Sequence, residues 1–464
     1  MDPHTDVVCT GEVPAAVASS QRTSSAEDAS QSYQETDRFC TWRKHSRNLY
    51  QRLFHIDLVW ESPVAQLMPY VTTKAGLTTH TILSGTRTGG QEQSYLQMLS
   101  ATVPQDTQSL DMSDAAYSEA TGEVGGYGMA PHACGLKIER RILHDGDVLA
   151  ARYMPANPLL LASSSSNGSL YVFDWSRVPL GRFPNDPPRP RAPLPPNELS
   201  TEATEEERAQ YQKRMRTLNV VATEQDRWDR RTGDGQHVLT LSGGSGVSDN
   251  VCWSTSEEGV LASGSTGRVC VWKVANLSKD DERLVEPSRV FSLDDEEARV
   301  THVDFSWQLP ETFLTTSTSG AVHFNDSRQG HSTEIFSLCN PATSLSLSPR
   351  DGNSLLIGDV QGNVLFYDLR SSSQPVVVDR LHLGEVTTLE WCPHSRHLFS
   401  SGGHDGVVCI CNKTRQKVLF QHCGHTDTIM DMGWSWQEDD AGQLVSADSN
   451  AIMLWRPRDI FFCV

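Results

Sequence analysis

The chain has 464 residues, 38% of them hydrophobic, and its Lys+Arg and Asp+Glu totals give 39 − 58 = −19. A field of that sign repels nucleic-acid phosphates and favours basic protein partners, so direct nucleic-acid binding is not expected. No stretch reaches the apolar length of a membrane span, and the opening MDPHTDVVCTGEV lacks the basic-then-apolar layout of a secretory leader, so a nuclear or cytosolic chain with reduced cysteines is expected.

Residues 1–36 are rich in Ser, Thr, Ala, Gln and Asp and poor in large apolar groups, which predicts a disordered tail. A helix is expected over 37–56. Asp37 can cap it, and Phe39, Trp42, Leu49 and Leu53 fall on one stripe at spacings of 3, 7 and 4. Arg43, Lys44, Arg47 and Arg52 lie largely off that stripe, so the helix is amphipathic and must dock on something. Strand-like runs follow at 77–84 and 94–103, then an acidic, Gly-containing insert at about 104–135. A second insert covers about 176–237. Its residues 179–196 include eight prolines, which favour polyproline II, and 200–220 reads as a helix with a Thr204–Glu207 capping box.

The rest of the chain repeats. LYVFDW, VCVWKV, VHFNDSR, VLFYDLR, VCICNK and IMLWRP close six similar segments, aligned on Phe173, Trp272, Asn325, Tyr367, Cys411 and Trp455. The steps are 99, 53, 42, 44 and 44 residues, and the long first step contains the second insert. A period of 42–44 is that of WD-type propeller blades. His144, His382 and His425 precede their closing positions by 29, 29 and 30 residues, repeating one layout. A first clear blade is expected at 138–175. The strands before residue 104 supply a further blade, completed by strand material from the C-terminus. The expected fold is therefore all-β: a seven-bladed WD-repeat propeller over 57–464, with the N-terminal helix docked on its side. Such a ring binds partners more often than it does chemistry.

The chemistry that the sequence suggests is superficial. SGGSG at 242–246 has no following Lys and reads as a loop, not a phosphate cradle. His425, Ser446 and Asp448 resemble a hydrolase triad, but in a blade they read as a hydrogen-bond relay ending on Trp455. His404, Cys409, Cys411, His422, Cys423 and His425 crowd together without a zinc spacing. Cys252, Cys270, Cys339 and Cys409 read as small apolar residues inside strands. No catalytic group, cofactor or metal is expected.

One stretch is more specific. TWRKHSRNLYQRLFHIDLVWESPVAQLMP at 41–69 carries Trp42, Leu49–Tyr50, Trp60, Ser62, Ala65 and Gln66, followed by a strand with the Gly85–Thr86 turn. KIERRILHDGDVLAARYMPANP at 137–158 includes the run Arg152 to Pro155, and LFQHCGHTDTIMDMGWSW with NAIMLWRPRDIFF closes the chain. These segments resemble the retinoblastoma-binding WD-repeat proteins, the small subunit of chromatin assembly factor. The resemblance covers about 37–462 apart from inserts. It implies a histone-binding scaffold in chromatin-assembly or chromatin-modifying complexes, with histones or other basic segments as partners.

The resemblance also implies two sites. A histone-helix groove would use Leu49, Leu53, Phe420, Asn450 and Ala451. A top-face mouth for basic tails would use Asp147 and Glu385, with Val247 and Thr301 at other matching places. The family's acidic, proline-paired loop is absent: Asn412 and Leu419 are separated only by KTRQKV, and Gln421 replaces an apolar residue. A propeller adaptor outside chromatin, in ribosome assembly or protein import, is the alternative expectation.

Overall fold

Seven antiparallel sheets form the protein. The computed structural model describes residues 37–74, 76–104, 124, 134–177, 238–244, 246–274, 284–293, 295–328, 330–370, 375 and 377–461. The expected tail at 1–36, the Pro-rich run, the helix at 200–220 and most of the first insert lie outside these residues. Blades I to VI span 65–144, 148–241, 252–292, 300–337, 342–380 and 386–422, and blade VII combines 431–457 with 50–57. Blade II gains a fifth, parallel strand, Leu284–Val285. Contacts between neighbouring blades run round the ring from I to VII and back to I.

The closing positions lie where the period places them. Phe173, Trp272, Asn325, Tyr367, Cys411 and Trp455 sit on the third strand of their blades and are buried. Alternation turns these side chains into the space between sheets. Asn325 is the polar exception, and its Nδ2 donates to Thr315 Oγ1 at 3.2 Å.

The sequence repeat and the structural blade are offset by one strand. Gly135–His144, expected to open a blade, is the outer strand of blade I, paired with Ser94–Pro104. Blade I is therefore complete without C-terminal material. The exchange runs the other way: the N-terminal strand β1 (Tyr50–Asp57) completes the C-terminal blade. It pairs with Ala451–Pro457 from Tyr50↔Pro457 to Asp57↔Ala451. Cys339 also departs from expectation, lying exposed between strands.

Helix α1 (Asp37–Leu49) ends seven residues before the expected 56. Leu53 continues the helical stripe, but Tyr50, Phe54 and Ile56 are weak helix formers that suit a strand. Blade VII has an open backbone edge, and pairing with it satisfies β1's amides and carbonyls. The junction is locked by aromatics. Trp42 Nε1 donates to Tyr50 Oη (2.7 Å), which lies 2.6 Å from His422 Nδ1. His422 stacks on Trp455 at 4.5 Å and 9°. Burial holds His422 well below, and Tyr50 well above, their usual values, so both are neutral. A Cβ on Gly424 would come within 2.6 Å of the Trp42 ring, so only glycine allows this approach. Arg52, 3% exposed, donates to Asp440 (2.8 Å) and Gln443 (3.0 Å) in the loop of blade VII.

Polar joints between inner strands hold the blades around a central channel of about 360 Å3. Asp431 of blade VII accepts from Ala65 N of blade I (2.9 Å) and takes both Arg152 guanidinium nitrogens of blade II (2.9 and 3.0 Å). Glu390 accepts from Trp434 N, and Asp304 from Leu347 N, each joining one blade to the next. Burial raises Glu390 to about 8 and Asp304 to about 7.

Leu53, 2% exposed, is core. Leu53→Ala is expected to cost about 2–5 kcal/mol in urea unfolding, and Leu53→Glu to prevent folding. A folded Leu53→Glu protein with unchanged stability would refute this placement. The raised carboxyls give a second expectation. Their contribution to stability is complete below the ordinary values of 3.8 and 4.5 and is lost as pH rises through about 7 to 8. The Tm of Glu390→Gln should therefore gain on the parent as pH goes from 5 to 8.5. A constant difference would contradict the burial of an ionisable Glu390.

Candidate functional site

The residues expected to form a histone-helix groove meet, but mostly as core. Leu53, Phe420 and Ala451 are 2%, 4% and 6% exposed and share one buried cluster, with Leu49 packed at its margin. Phe420 is enclosed by Tyr50, Trp455 and Phe461 at 5.1–5.9 Å between ring centroids. Asn450 is half-buried, and its Nδ2 donates to Thr426 Oγ1. A guest on this side can reach Leu49 and the outer face of α1, but not the other apolar side chains.

The outer surface here is basic. Arg38, Lys44, His45 and Arg47 are exposed on α1, and Arg415 and Lys417 on the neighbouring hairpin of blade VI. The outer edge of β1 is also occupied at one point. Val124, from the first insert, exchanges two 2.9 Å backbone hydrogen bonds with Leu53.

The opposite charge collects elsewhere. Because each blade's strands alternate in direction, the loops between blades and the second-to-third-strand turns emerge on one face. Asp145, Asp295, Glu296, Glu297, Glu385 and Asp427 are exposed there. Arg87 and Arg299 on this face are each paired, with Glu61 and Asp249. Glu385 stands out from its loop, and its backbone carbonyl accepts from His404 N. Asp147 is half-buried and does a structural job. Its Oδ1 accepts from Ser94 Oγ (2.7 Å), Thr88 N (2.8 Å) and Thr88 Oγ1 (3.1 Å). Burial opposes the charge, but these donors hold Asp147 below its usual value. Val247 is exposed and Thr301 bonds to Thr316, so neither adds charge. Asp295, Glu296 and Glu297 were not among the expected site residues. Their signal was the acidic run DDEE at 294–297 between two strand-like segments.

The triad-like set is a buried relay. His425 Nε2 lies 2.7 Å from Ser446 Oγ, which accepts from Trp455 Nε1 at 2.9 Å. His425 Nδ1 stands 3.3 Å from Asp448, which also accepts from the amides of Thr426 and Ala451. Burial works against ionised Asp448, yet His425 and the surrounding amides bring it down to about 2. The motif recurs as His144–Ser163 and His382–Ser401–Asp405. A threefold repeat in blades of one ring is architecture. Among the described residues no group of three His, Cys, Asp or Glu side chains converges as metal ligands.

Residues 37–105 match the family model for histone-binding protein RBBP4 of the CAF1 complex, and 373–412 match the model for the WD domain, G-beta repeat. The chain resembles the histone-binding WD-repeat proteins. Histone-binding protein MSI1 of Saccharomyces cerevisiae is 23% identical over 440 residues, covering 91% of this chain and 93% of the relative. Histone acetyltransferase type B subunit 2 of Candida glabrata is 21% identical over 436 residues, covering 88% of each. The residues that carry the likeness to this family are joints. Ser62 Oγ donates to Val64 O and accepts from Gly85 N, Ala65 N meets Asp431, and Gln66 Oε1 accepts from Tyr153 N.

Ser446→Ala leaves Trp455 Nε1 and His425 without a partner. It is expected to lower unfolding free energy by about 1–3 kcal/mol. Loss of a hydrolytic turnover in that variant, with stability unchanged, would overturn the structural reading.

Proposed function

We propose that this protein is a non-enzymatic, histone-binding scaffold subunit of nuclear chromatin-assembly or chromatin-modifying complexes. The observation that carries this reading is the match over 37–105, a segment that folds as α1, the ring-closing strand and most of blade I. Both named relatives are described as histone-binding or histone-acetyltransferase subunits and align over almost their whole length.

Charge favours one surface over the other. A basic histone segment is drawn to the face bearing Glu296, Glu297 and Glu385, with Asp147 at its margin through the carboxylate oxygen left outside the loop clip. The α1 side, with Leu49 at its edge, repels such a segment. That basic side, where the family has an acidic loop, is what favours the second reading, an adaptor outside chromatin in ribosome assembly or protein import.

Immobilised protein should capture H3–H4 from salt-washed nuclear extract, less so as salt rises. Glu296→Lys/Glu297→Lys/Glu385→Lys should weaken capture by roughly tenfold. Lysozyme retained as well as histones would remove the claim to specificity. Capture of ribosomal or import proteins without histones would favour the adaptor.

A further inference from the structure

Blades V and VI part on their outer side to leave a cleft of about 220 Å3. Its floor is apolar: Val364 and Phe366 from blade V, Phe399 and Val418 from blade VI. Phe366 and Val418 are only half-buried, packed on the edge of the inter-blade core. The rim is cationic. Arg380 and Lys417 are exposed, and neither has an ion pair among the described residues. Lys413 lies deeper. Its Nζ is 5.0 Å from the ring centroids of Phe366 and Trp391, donates to Ser354 Oγ at 2.9 Å and stands 3.7 Å from Asp351. Burial lowers its pKa, and Asp351 offsets part of that. Asp379 is the single carboxylate among the lining residues.

An apolar hollow ringed by three cations and one anion is selective. It rejects basic segments by charge and plain acidic ones by lack of apolar contact. In a chain of net charge −19, such a patch stands against the general field.

We propose that the cleft between blades V and VI docks an acidic, hydrophobic peptide segment of a partner protein. A Leu or Phe side chain rests on Phe366, Phe399 and Val418, and flanking carboxylates meet Arg380, Lys413 and Lys417. This site takes a partner of opposite charge to a histone and lies away from the acidic face. It does not depend on the histone reading. It would let the ring hold a basic guest and an acidic scaffold segment at once.

The test uses the full chain and fluorescein-labelled peptides read by anisotropy. The parent probe is acetyl-Glu-Asp-Glu-Phe-Leu-Glu-Asp-Glu. One counterpart replaces its acidic residues with Lys, and another its Phe-Leu with Ala-Ala. Saturable binding of the parent is expected, at least about tenfold tighter than either counterpart. Arg380→Glu/Lys417→Glu, which alters exposed side chains only, should weaken it by at least about tenfold, with Tm and histone capture unchanged. Lys44→Glu/Arg47→Glu on α1 should leave it unchanged. The site is refuted if the parent probe shows no saturable binding, if the Ala-Ala peptide binds equally, or if the cleft variant retains full affinity.

Discussion

The structure depends on one pairing: β1 against the last strand of the chain. A propeller with an unpaired outer strand in one blade leaves a row of backbone donors and acceptors exposed. Here the seven-residue register from Tyr50 to Asp57 fills that row, and Arg52 seals it with a buried ion pair to Asp440. The Trp42–Tyr50–His422 chain of contacts then fixes α1 beside blade VII. The N-terminal segment is therefore first a structural part. Its availability for binding is what remains after Leu53, Phe420 and Ala451 have gone into the core.

What remains is sorted by charge. The face formed by the inter-blade loops carries Glu296, Glu297 and Glu385, while the side carrying α1 and the blade VI hairpin carries Lys44, Arg47, Arg415 and Lys417. At physiological ionic strength the Debye length is about 8 Å, so these patches act locally and the net charge says little about either. A basic guest and an acidic guest can therefore be told apart by where they land. The same propeller can join two partners without any chemistry of its own.

The ring was legible because inner and outer residues alternate strictly: Trp272, Tyr367 and Trp455 recur at a blade's length and all pack between sheets. The helix end was not legible. Leu53 lies four residues after Leu49, which suits a helix, and the same side chain suits β1; only the open edge of blade VII, a distant partner, decides. The offset between repeat and blade has a similar origin, since His144 marks the end of an outer strand and belongs in space to the blade before its repeat. At the site, Glu385 was found by its matching position. Asp147 was found too, but its role in clipping Thr88 and Ser94 is invisible without coordinates. The acidic run at 295–297 was missed because its significance comes from the loop that brings it onto the same face as Glu385.

The most direct test of the account is amide hydrogen exchange on the intact protein, comparing residues 50–57 with 451–457. If the front segment is the outer strand of the final blade, the two peptides should be protected together and open together. If 50–57 exchanges within seconds while 451–457 remains protected, the segment is a loose arm, and the placement of α1 and of both charged surfaces beside it fails.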